Sequence, residues 1–238
     1  SFEAIRQIKP EKLYIACDGA RPSKIGEIKV VEDVRKAVLD MIDWDCKVQT
    51  LFQSKNLGCG AAVFAAIDWL FDNEDMGIII EDDCLTNNSF FKFCDQLLEK
   101  YQADTRIGMI AGHNPIENPC SSDSYVFSNY KACWGWATWK RAWTNMDFNM
   151  NWKTSDYSNS IIDNNGIYLR DSQYWEGRLN LIEKNHVNAW DWQWYLSLAG
   201  QNQLTIFPVL NLVDNIGFGE NATHTTFGYN QHIRSNEL

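Results

Sequence analysis

We predict an α/β fold in which a mostly parallel sheet is flanked by helices, and three observations predict it. Short apolar runs alternate with segments of helical spacing through the first half of the chain, which is typical of βαβ units. Those runs are continuously apolar, as strands buried on both faces are. The chain has 238 residues, of which 45% are hydrophobic, so it can form one large domain with an ample core.

The elements of the first half follow from spacing and from turn residues. Apolar residues three and four positions apart predict helices, and apolar runs bounded by turn residues predict strands. In chain order these are helix Phe2 to Lys9, strand Leu13 to Cys17, helix Val30 to Met41, strand Cys46 to Phe52, a helix after the glycine loop Asn56 to Gly60, strand Ile78 to Ile80, helix Phe90 to Tyr101 and strand Arg106 to Ala111.

The second half differs, since nine of the eleven tryptophans lie between Trp134 and Trp194. We therefore divide the single predicted domain into residues 1–118 and a tryptophan-rich half, residues 119–238. The elements predicted in this half are a helix from Trp134 through Trp143, an irregular excursion or lid from Asn145 to Gly166, helices Asp171 to Lys184 and Trp190 to Ala199, a strand Leu204 to Phe207, and a Gly/Asn-rich tail from Asn215.

Composition limits the partners. A formal net charge of −10 argues against a nucleic-acid partner and against docking on anionic lipid, although a metal ion would still allow a nucleotide ligand. No apolar run is long enough to span a bilayer. The seven cysteines include no Cys-x-x-Cys pair, which favours reduced thiols in a reducing compartment. We expect a cytoplasmic protein, soluble or peripheral at a membrane.

The strongest chemical signal is an acidic triplet, Glu81-Asp82-Asp83, directly after the apolar residues Ile78 to Ile80. Three adjacent carboxylates repel one another, so a cation is expected at the tip of this strand, where open α/β sheets hold their ligands. Ligands that are carboxylates alone favour Mg²⁺ or Mn²⁺ over zinc. The alternative is a solvated acidic turn.

Asp18 also follows a predicted strand and is expected at the same edge of the sheet, where it could accept a hydrogen bond from a nucleoside. Alternatively, Asp18-Gly19 is only a turn. The glycines Gly58 and Gly60 precede a helix and could offer backbone amides to an anion, but they lack the lysine and the glycine spacing of known phosphate loops.

Trp190-Asp191-Trp192-Gln193-Trp194 places one carboxylate among three indoles. Apolar surroundings raise the pKa of a carboxylate and suit it to general-base catalysis, and indole faces stack against sugar rings. Alternatively, Asp191 caps a helix whose tryptophans belong to the core. The four histidines share no ligand spacing, and only His224, in the glycine-rich tail, could fold back over the site.

Ile79 to Leu85, with Phe90-Phe91-Lys92-Phe93 after it, closely resembles the metal-site segment of the N-acetylglucosaminyltransferase I family, whose pattern bacterial nucleotide-diphospho-sugar transferases share. These are inverting glycosyltransferases of the GT-A fold, which is Rossmann-like, and the resemblance runs from Leu13 to the C-terminal tail. It implies that Asp83 ligates Mn²⁺ or Mg²⁺ and that Glu81 and Asp82 lie near the sugar and ribose.

The resemblance implies further site residues. Asp18, with Gly19 beside it, matches the aspartate that contacts uracil, and Gly135-Trp136 matches a pair in the acceptor half. Trp190-Asp191 matches the segment that carries the catalytic base, although the family has Trp-Asp-Asp-Trp there. The segment from Gly217 to His224 is similar to a loop over the diphosphate.

One departure concerns the start of the chain. The family opens with a strand and an arginine-bearing loop before the helix that matches Phe2 to Lys9, and this first strand is missing here. We therefore expect an empty or substituted strand position beside Leu13 to Cys17, and an incomplete nucleotide pocket.

The expected function is a metal-dependent inverting glycosyltransferase that moves a sugar from a nucleotide-diphosphate sugar, such as UDP-GlcNAc, to the hydroxyl of a glycan or other acceptor. In it, residues 1–118 hold the donor and the metal, and residues 119–238 hold the acceptor. One alternative is a sugar-1-phosphate nucleotidyltransferase, which would need a basic, glycine-rich phosphate loop. Another is a sugar-binding module of the same fold without catalysis, against which the intact acidic triplet argues.

Overall fold

The computed structural model describes residues 1–115, 121–165, 169–184 and 188–217. A single 3₁₀ turn spans Asn151–Thr154. The helices are α1 (Phe2–Ile8), α2 (Glu27–Asp40), α3 (Cys59–Asn73), α4 (Asn88–Lys100), α5 (Lys140–Trp143), α6 (Ser158–Asp163), α7 (Leu169–Glu183) and α8 (Asp191–Gly200). The strands are β1 (Lys12–Cys17), β2 (Lys47–Phe52), β3 (Met76–Ile79), β4 (Cys84–Thr86), β5 (Ile107–Ala111), β6 (Tyr125–Ser128), β7 (Trp136–Trp139), β8 (Leu204–Pro208) and β9 (Val213–Asn215).

The protein is a mixed α/β structure, as predicted, and the strands form three sheets. β1 pairs in parallel with β2, and β4 pairs antiparallel with β9. The largest sheet has five strands in the order β3-β7-β5-β8-β6. Its one parallel pairing is between β5 and β8, while the other three pairings are antiparallel.

The largest sheet therefore differs from the mostly parallel sheet that we predicted. β3, β5 and β8, which the sequence did predict, run in one direction, because β3 and β5 both lie antiparallel to β7 between them. The two strands that reverse the direction, β6 and β7, belong to the tryptophan-rich half, where we had predicted no strand before Leu204. Apart from β4, which follows β3 directly, strand and helix alternate through the first half, and the second half inserts antiparallel strands into the same sheet.

The helix predicted from Trp134 through Trp143 is wrong over its first part. Trp136–Trp139 forms β7 in the middle of the sheet, and only Lys140–Trp143 is helical. All four residues of β7 are buried, and tryptophan and threonine favour strands when both faces are covered. The excursion after Asn145 is not wholly irregular either, since it contains the 3₁₀ turn and α6.

The core surrounds the five-stranded sheet, and helix α4 shows how the sequence builds it. Asn87 caps α4 by accepting a hydrogen bond from the backbone N–H of Phe90 at 3.0 Å. The buried residues Phe90, Phe93, Cys94 and Leu97 recur at helical spacing and pack on the sheet. A second cluster, under α3 and α8, is built around Trp136, Trp143, Trp190 and Trp194.

No helix within the described ranges is long and apolar enough to cross a membrane. The six cysteines of those ranges are free thiols.

Candidate functional site

The acidic triplet lies in the turn that follows β3. Ile80 and Glu81 continue from the strand, and the backbone N–H of Cys84 donates to the carbonyl of Glu81 at 3.1 Å to close the turn. Ser1 lies against the same turn, since its hydroxyl is 3.0 Å from the carbonyl of Asp82 and 2.5 Å from that of Cys84. The three carboxylates are thus carried by a tight turn at the carboxyl end of a core strand.

Asp83 is held by the small sheet of β4 and β9. The backbone N–H of Ile216 donates to the carbonyl of Asp83 at 2.8 Å, and the N–H of Gly217 donates to Asn215 Oδ1 at 2.7 Å. A Cβ atom at Gly217 would collide with Asp83 Oδ2, so the chain passes directly beside this carboxylate. The segment that enters the C-terminal tail therefore begins in contact with the candidate metal ligand.

Asp191 approaches the triplet from α8. It is the first residue of that helix, and the capping position belongs to Trp190, which makes no side-chain cap. Trp190 is buried and stacks on Trp136 with ring centroids 5.7 Å apart. Asp191 is close enough to Glu81 for its charge to raise the pKa of Glu81. The fold thus brings the two acidic motifs, which are over one hundred residues apart in sequence, to one place.

Burial raises the pKa of Glu81 to about 8, and the charges of Asp83, Asp191 and Asp82 add to the effect. No lysine or arginine within the described ranges forms an ion pair with any residue of the triplet. The site is therefore a region of concentrated negative potential in which a cation would relieve repulsion.

The triplet does not, however, form a complete metal-binding cage. Among the described residues no three His, Cys, Asp or Glu side chains converge on a point where an ion could be held. An octahedral ion bound by one or two carboxylates takes its other ligands from water or from substrate phosphates.

The carboxylate of Asp18, which the resemblance assigns to uracil, accepts hydrogen bonds from its own chain. Oδ1 accepts from the backbone N–H groups of Gly19 at 2.7 Å and Leu57 at 2.8 Å. Oδ2 accepts from Asn56 Nδ2 at 2.8 Å and from the N–H of Gly58 at 2.9 Å. Asp18 therefore closes the loop between β2 and α3 onto the end of β1.

The glycine loop is likewise satisfied within the chain. Two of its amides bind Asp18, and the N–H of Gly60 donates to Asn188 Oδ1 at 2.9 Å. A Cβ atom at Gly19 would collide with the carbonyl group of Lys55, so the two loops touch backbone to backbone. The backbone amides with which Gly58 and Gly60 could have bound an anion therefore donate to side chains of the protein itself.

The hydrogen bonds of Asp18 lead to a prediction about the stability of the fold. We expect Asp18→Ala to lower the free energy of unfolding by about 3 kcal/mol, because four hydrogen bonds to a carboxylate are lost and three backbone amides lose their acceptor. Urea titration would measure the loss. Asp33→Ala on α2, where the carboxylate is exposed and pairs with Lys29, is the matched control and should change stability by less than about 0.5 kcal/mol. Equal effects of the two substitutions would contradict a structural role for Asp18.

Gly135 and Trp136 lie in the core next to Trp190, which precedes Asp191. Gly135 has φ 58°, a left-handed conformation that favours glycine, and its carbonyl accepts from the N–H of Gly112 at 2.8 Å. Trp136 is fully buried beneath Trp190 and beside Trp194. Its ring has no face exposed to a ligand, so its contact with a sugar would need a rearrangement of this cluster.

Three residues near the carboxylates were not expected there from the sequence, namely Cys59, Cys133 and Tyr195. The charges of Glu81 and Asp191 raise the pKa of each of them, with burial as the largest cause. Tyr195 lies four residues after Asp191 on α8, so helical spacing would have placed it on the same face. Nothing in the sequence around Cys59 or Cys133 distinguishes them.

The loop that leads to Cys133 holds a half-buried lysine. Lys131 Nζ donates to Asn165 Oδ1 at 2.9 Å, and burial lowers the pKa of Lys131 to about 7. The folded chain binds fewer protons than the unfolded chain between this pKa and the ordinary value of 10.5, so the stability contributed by this residue rises with pH across that window. Below pH 7 the cost of burying the charge is present in full.

We therefore expect Lys131→Met to stabilise the fold at pH 6 by about 2 kcal/mol, after allowance for the lost hydrogen bond. The gain should fall as the pH rises towards 10. Urea titrations of both proteins at several pH values would measure it. Lys140→Met, at an exposed lysine, is the control and should show no such trend. A stability difference independent of pH would contradict the buried charge.

His224 and the rest of the segment from Phe218 onwards lie outside the described residues.

No family model matches the chain, and the search of curated proteins found no significant match.

Proposed function

We propose that this chain is a metal-dependent inverting glycosyltransferase that uses a nucleotide-diphosphate sugar, such as a UDP-sugar, and that its site has the GT-A arrangement. One observation carries the proposal. An acidic triplet that forms no ion pair with a lysine or arginine of the described residues ends a core strand, and Asp191, a further carboxylate from the tryptophan-rich half, lies close enough for its charge to raise the pKa of Glu81. Two separated carboxylate functions are what metal-assisted transfer to a hydroxyl requires.

The donor set fits a hard divalent ion. Asp83, with Asp82 beside it, offers carboxylate oxygens, and the nearby Sγ of Cys84, 3.6 Å from Asp83 Oδ1, belongs to a thiol whose pKa burial raises to about 12, so it stays protonated and is a poor ligand. The absence of a complete cage fits an ion that shares its shell with a diphosphate. When bound, Mn²⁺ or Mg²⁺ would neutralise charge on the departing diphosphate.

Asp191 is the proposed general base. It would take the proton of the acceptor hydroxyl as the acceptor oxygen bonds to the anomeric carbon and the bond from that carbon to the diphosphate oxygen breaks. The electron pair of that bond leaves with the diphosphate, and a single displacement inverts the anomeric centre. Trp190 and the stacked tryptophans below it fix the start of α8, so the base is held by the core.

The experiment is a screen of nucleotide-diphosphate sugars with Mn²⁺, read by chromatography of the nucleotide product. Transfer, or slow hydrolysis without an acceptor, releases a nucleoside diphosphate. A nucleotidyltransferase would instead consume nucleoside triphosphate and sugar 1-phosphate and release pyrophosphate. A sugar-binding module would bind the donor and release neither product, so each outcome other than diphosphate release contradicts the proposal.

A further inference from the structure

Two aromatic rings and one guanidinium group meet where α7 contacts the start of α8. Tyr174 and Arg178 lie four residues apart on α7, so their side chains share one face of the helix. The guanidinium carbon of Arg178 is 4.6 Å from the ring centroid of Tyr174 and 4.9 Å from that of Trp192 on α8. Trp175 packs edge-on against Tyr195 with ring centroids 6.1 Å apart, which holds the two helices together. We name Tyr174, Arg178 and Trp192 the arginine cluster.

The arginine cluster lies next to the proposed base, because Trp192 directly follows Asp191 on α8. Trp190 and Trp194 are buried in the core, whereas Asp191 and Trp192 are both half-buried. The ring of Trp192 is therefore the one indole of this run that reaches the surface beside the carboxylate. An acceptor whose hydroxyl meets Asp191 would have the arginine cluster beside it.

Arg178 has no acceptor for its N–H groups within the part of the chain that the structure describes. It forms no ion pair there and donates no hydrogen bond. Acidic partners are not scarce, since the chain has 31 acidic and 21 basic residues. The other arginines whose side chains are described all donate to a carboxylate or to backbone carbonyls, and they are Arg6, Arg21, Arg35, Arg106 and Arg141.

The chemistry of Arg178 suits an anion. A guanidinium group offers planar N–H donors that match two oxygens of a carboxylate or a phosphate, and its contacts with aromatic rings leave those donors unused. Tyr174 is 51% exposed, so the cluster is open to solvent. The acidic triplet and Asp191 would repel an anionic acceptor, and an arginine beside the base offsets that repulsion.

We propose that the arginine cluster binds a carboxylate or phosphate group carried by the acceptor, so that the acceptor is an anionic sugar or glycan. This inference rests on the proposed function and names its acceptor class. The acceptor hydroxyl meets Asp191 while the anionic group accepts hydrogen bonds from Arg178. The opposing interpretation is that Arg178 only packs α7 against α8.

The test compares sugars that differ in one group alone. Methyl glucoside, methyl glucuronide and methyl glucoside 6-phosphate share a ring and differ only at carbon 6, and the galactose and mannose series supply the same three forms. Their binding to the full chain is measured by calorimetry, with and without UDP and Mn²⁺. We expect the carboxylate or the phosphate form to bind at least about tenfold tighter than the neutral form of its series. The form that binds tighter identifies the anion.

Substitutions at Arg178 separate anion binding from packing. Arg178→Met keeps the length and the apolar contact with both rings but removes the charge. We expect it to reduce the preference for the anionic form to less than about twofold, with Tm and binding of the neutral form close to the parent. Arg178→Lys keeps the charge without the planar donors and should retain only part of the preference, which decides the question even if Arg178→Met does not fold. Arg106→Met, at an exposed arginine paired with Asp104, is the matched control and should leave the preference unchanged.

Equal binding of the neutral and anionic forms by the parent chain would overturn the proposal, and so would a preference that Arg178→Met and Arg178→Lys leave intact. A variant that loses Tm and weakens every form equally would make Arg178 a packing residue, which also contradicts the proposal.

These outcomes are distinct from those of the donor screen. Release of a nucleoside diphosphate without an anionic preference would support sugar transfer and reject the anionic acceptor. A preference that depends on Arg178, in a chain that releases no diphosphate from any donor, would support the anion site and reject the transfer.

Discussion

We expect Asp191→Asn to lower the turnover of sugar transfer by ~10²–10⁴-fold while leaving donor binding intact. Asparagine keeps the size of the side chain and much of its hydrogen bonding, but it cannot accept the proton of the acceptor hydroxyl. Because Asp191 is the first residue of α8 and Trp190 occupies the capping position, the loss of a cap does not account for such a drop. Steady-state transfer to the acceptor, with calorimetry of the donor, would separate turnover from binding.

The control is Asp171→Asn in the preceding helix. Asp171 accepts a hydrogen bond from the hydroxyl of Tyr130 at 2.9 Å and is the next candidate for the base. We expect it to keep turnover within about threefold of the parent. Near-normal turnover in Asp191→Asn, together with a large loss in Asp171→Asn, would move the base to α7.

The second large effect concerns the metal. We expect Asp83→Asn to lower metal-dependent turnover by at least ~10³-fold, because the ion that neutralises the departing diphosphate loses its protein ligand. The amide fits the space beside Gly217, so the fold should survive, and thermal unfolding without metal would verify it. Initial rates over a range of Mn²⁺ concentrations are the measurement.

Asp95→Asn is the matched control, since it makes the same charge change at an exposed position on α4. It should leave the rate and the metal dependence unchanged. Turnover in Asp83→Asn that stays at the parent level with Mn²⁺ would show that the triplet holds no catalytic ion.

The parts of the fold that local sequence pattern determines could be predicted. β1, β2, β3 and β5, with helices α1 to α4, lie within a few residues of their predicted positions, because each is an apolar run or an apolar helix face with clear turn residues around it. The placement of the acidic triplet after β3 follows from the same reasoning.

What could not be predicted depends on long-range pairing. Nothing local shows that Trp136 to Trp139 enters the sheet between β3 and β5, since a short aromatic run fits a helix or a strand equally well. The hydrogen bonds that Asp18 makes within the chain could not be predicted for the same reason. Its partners, Asn56, Leu57 and Gly58, lie about forty residues further along the chain and are brought to it by the pairing of β1 with β2.

The most direct test of the proposed site is calorimetric titration of UDP into the protein, with Mn²⁺ and with EDTA, and of Mn²⁺ alone. The triplet supplies too few ligands to hold an ion by itself, so Mn²⁺ alone should bind weakly, whereas Mn²⁺ should tighten UDP binding by at least about tenfold. In Asp83→Ala that tightening should disappear. UDP binding that is the same in Mn²⁺ and EDTA, or tight Mn²⁺ binding that Asp83→Ala leaves unchanged, would contradict the account.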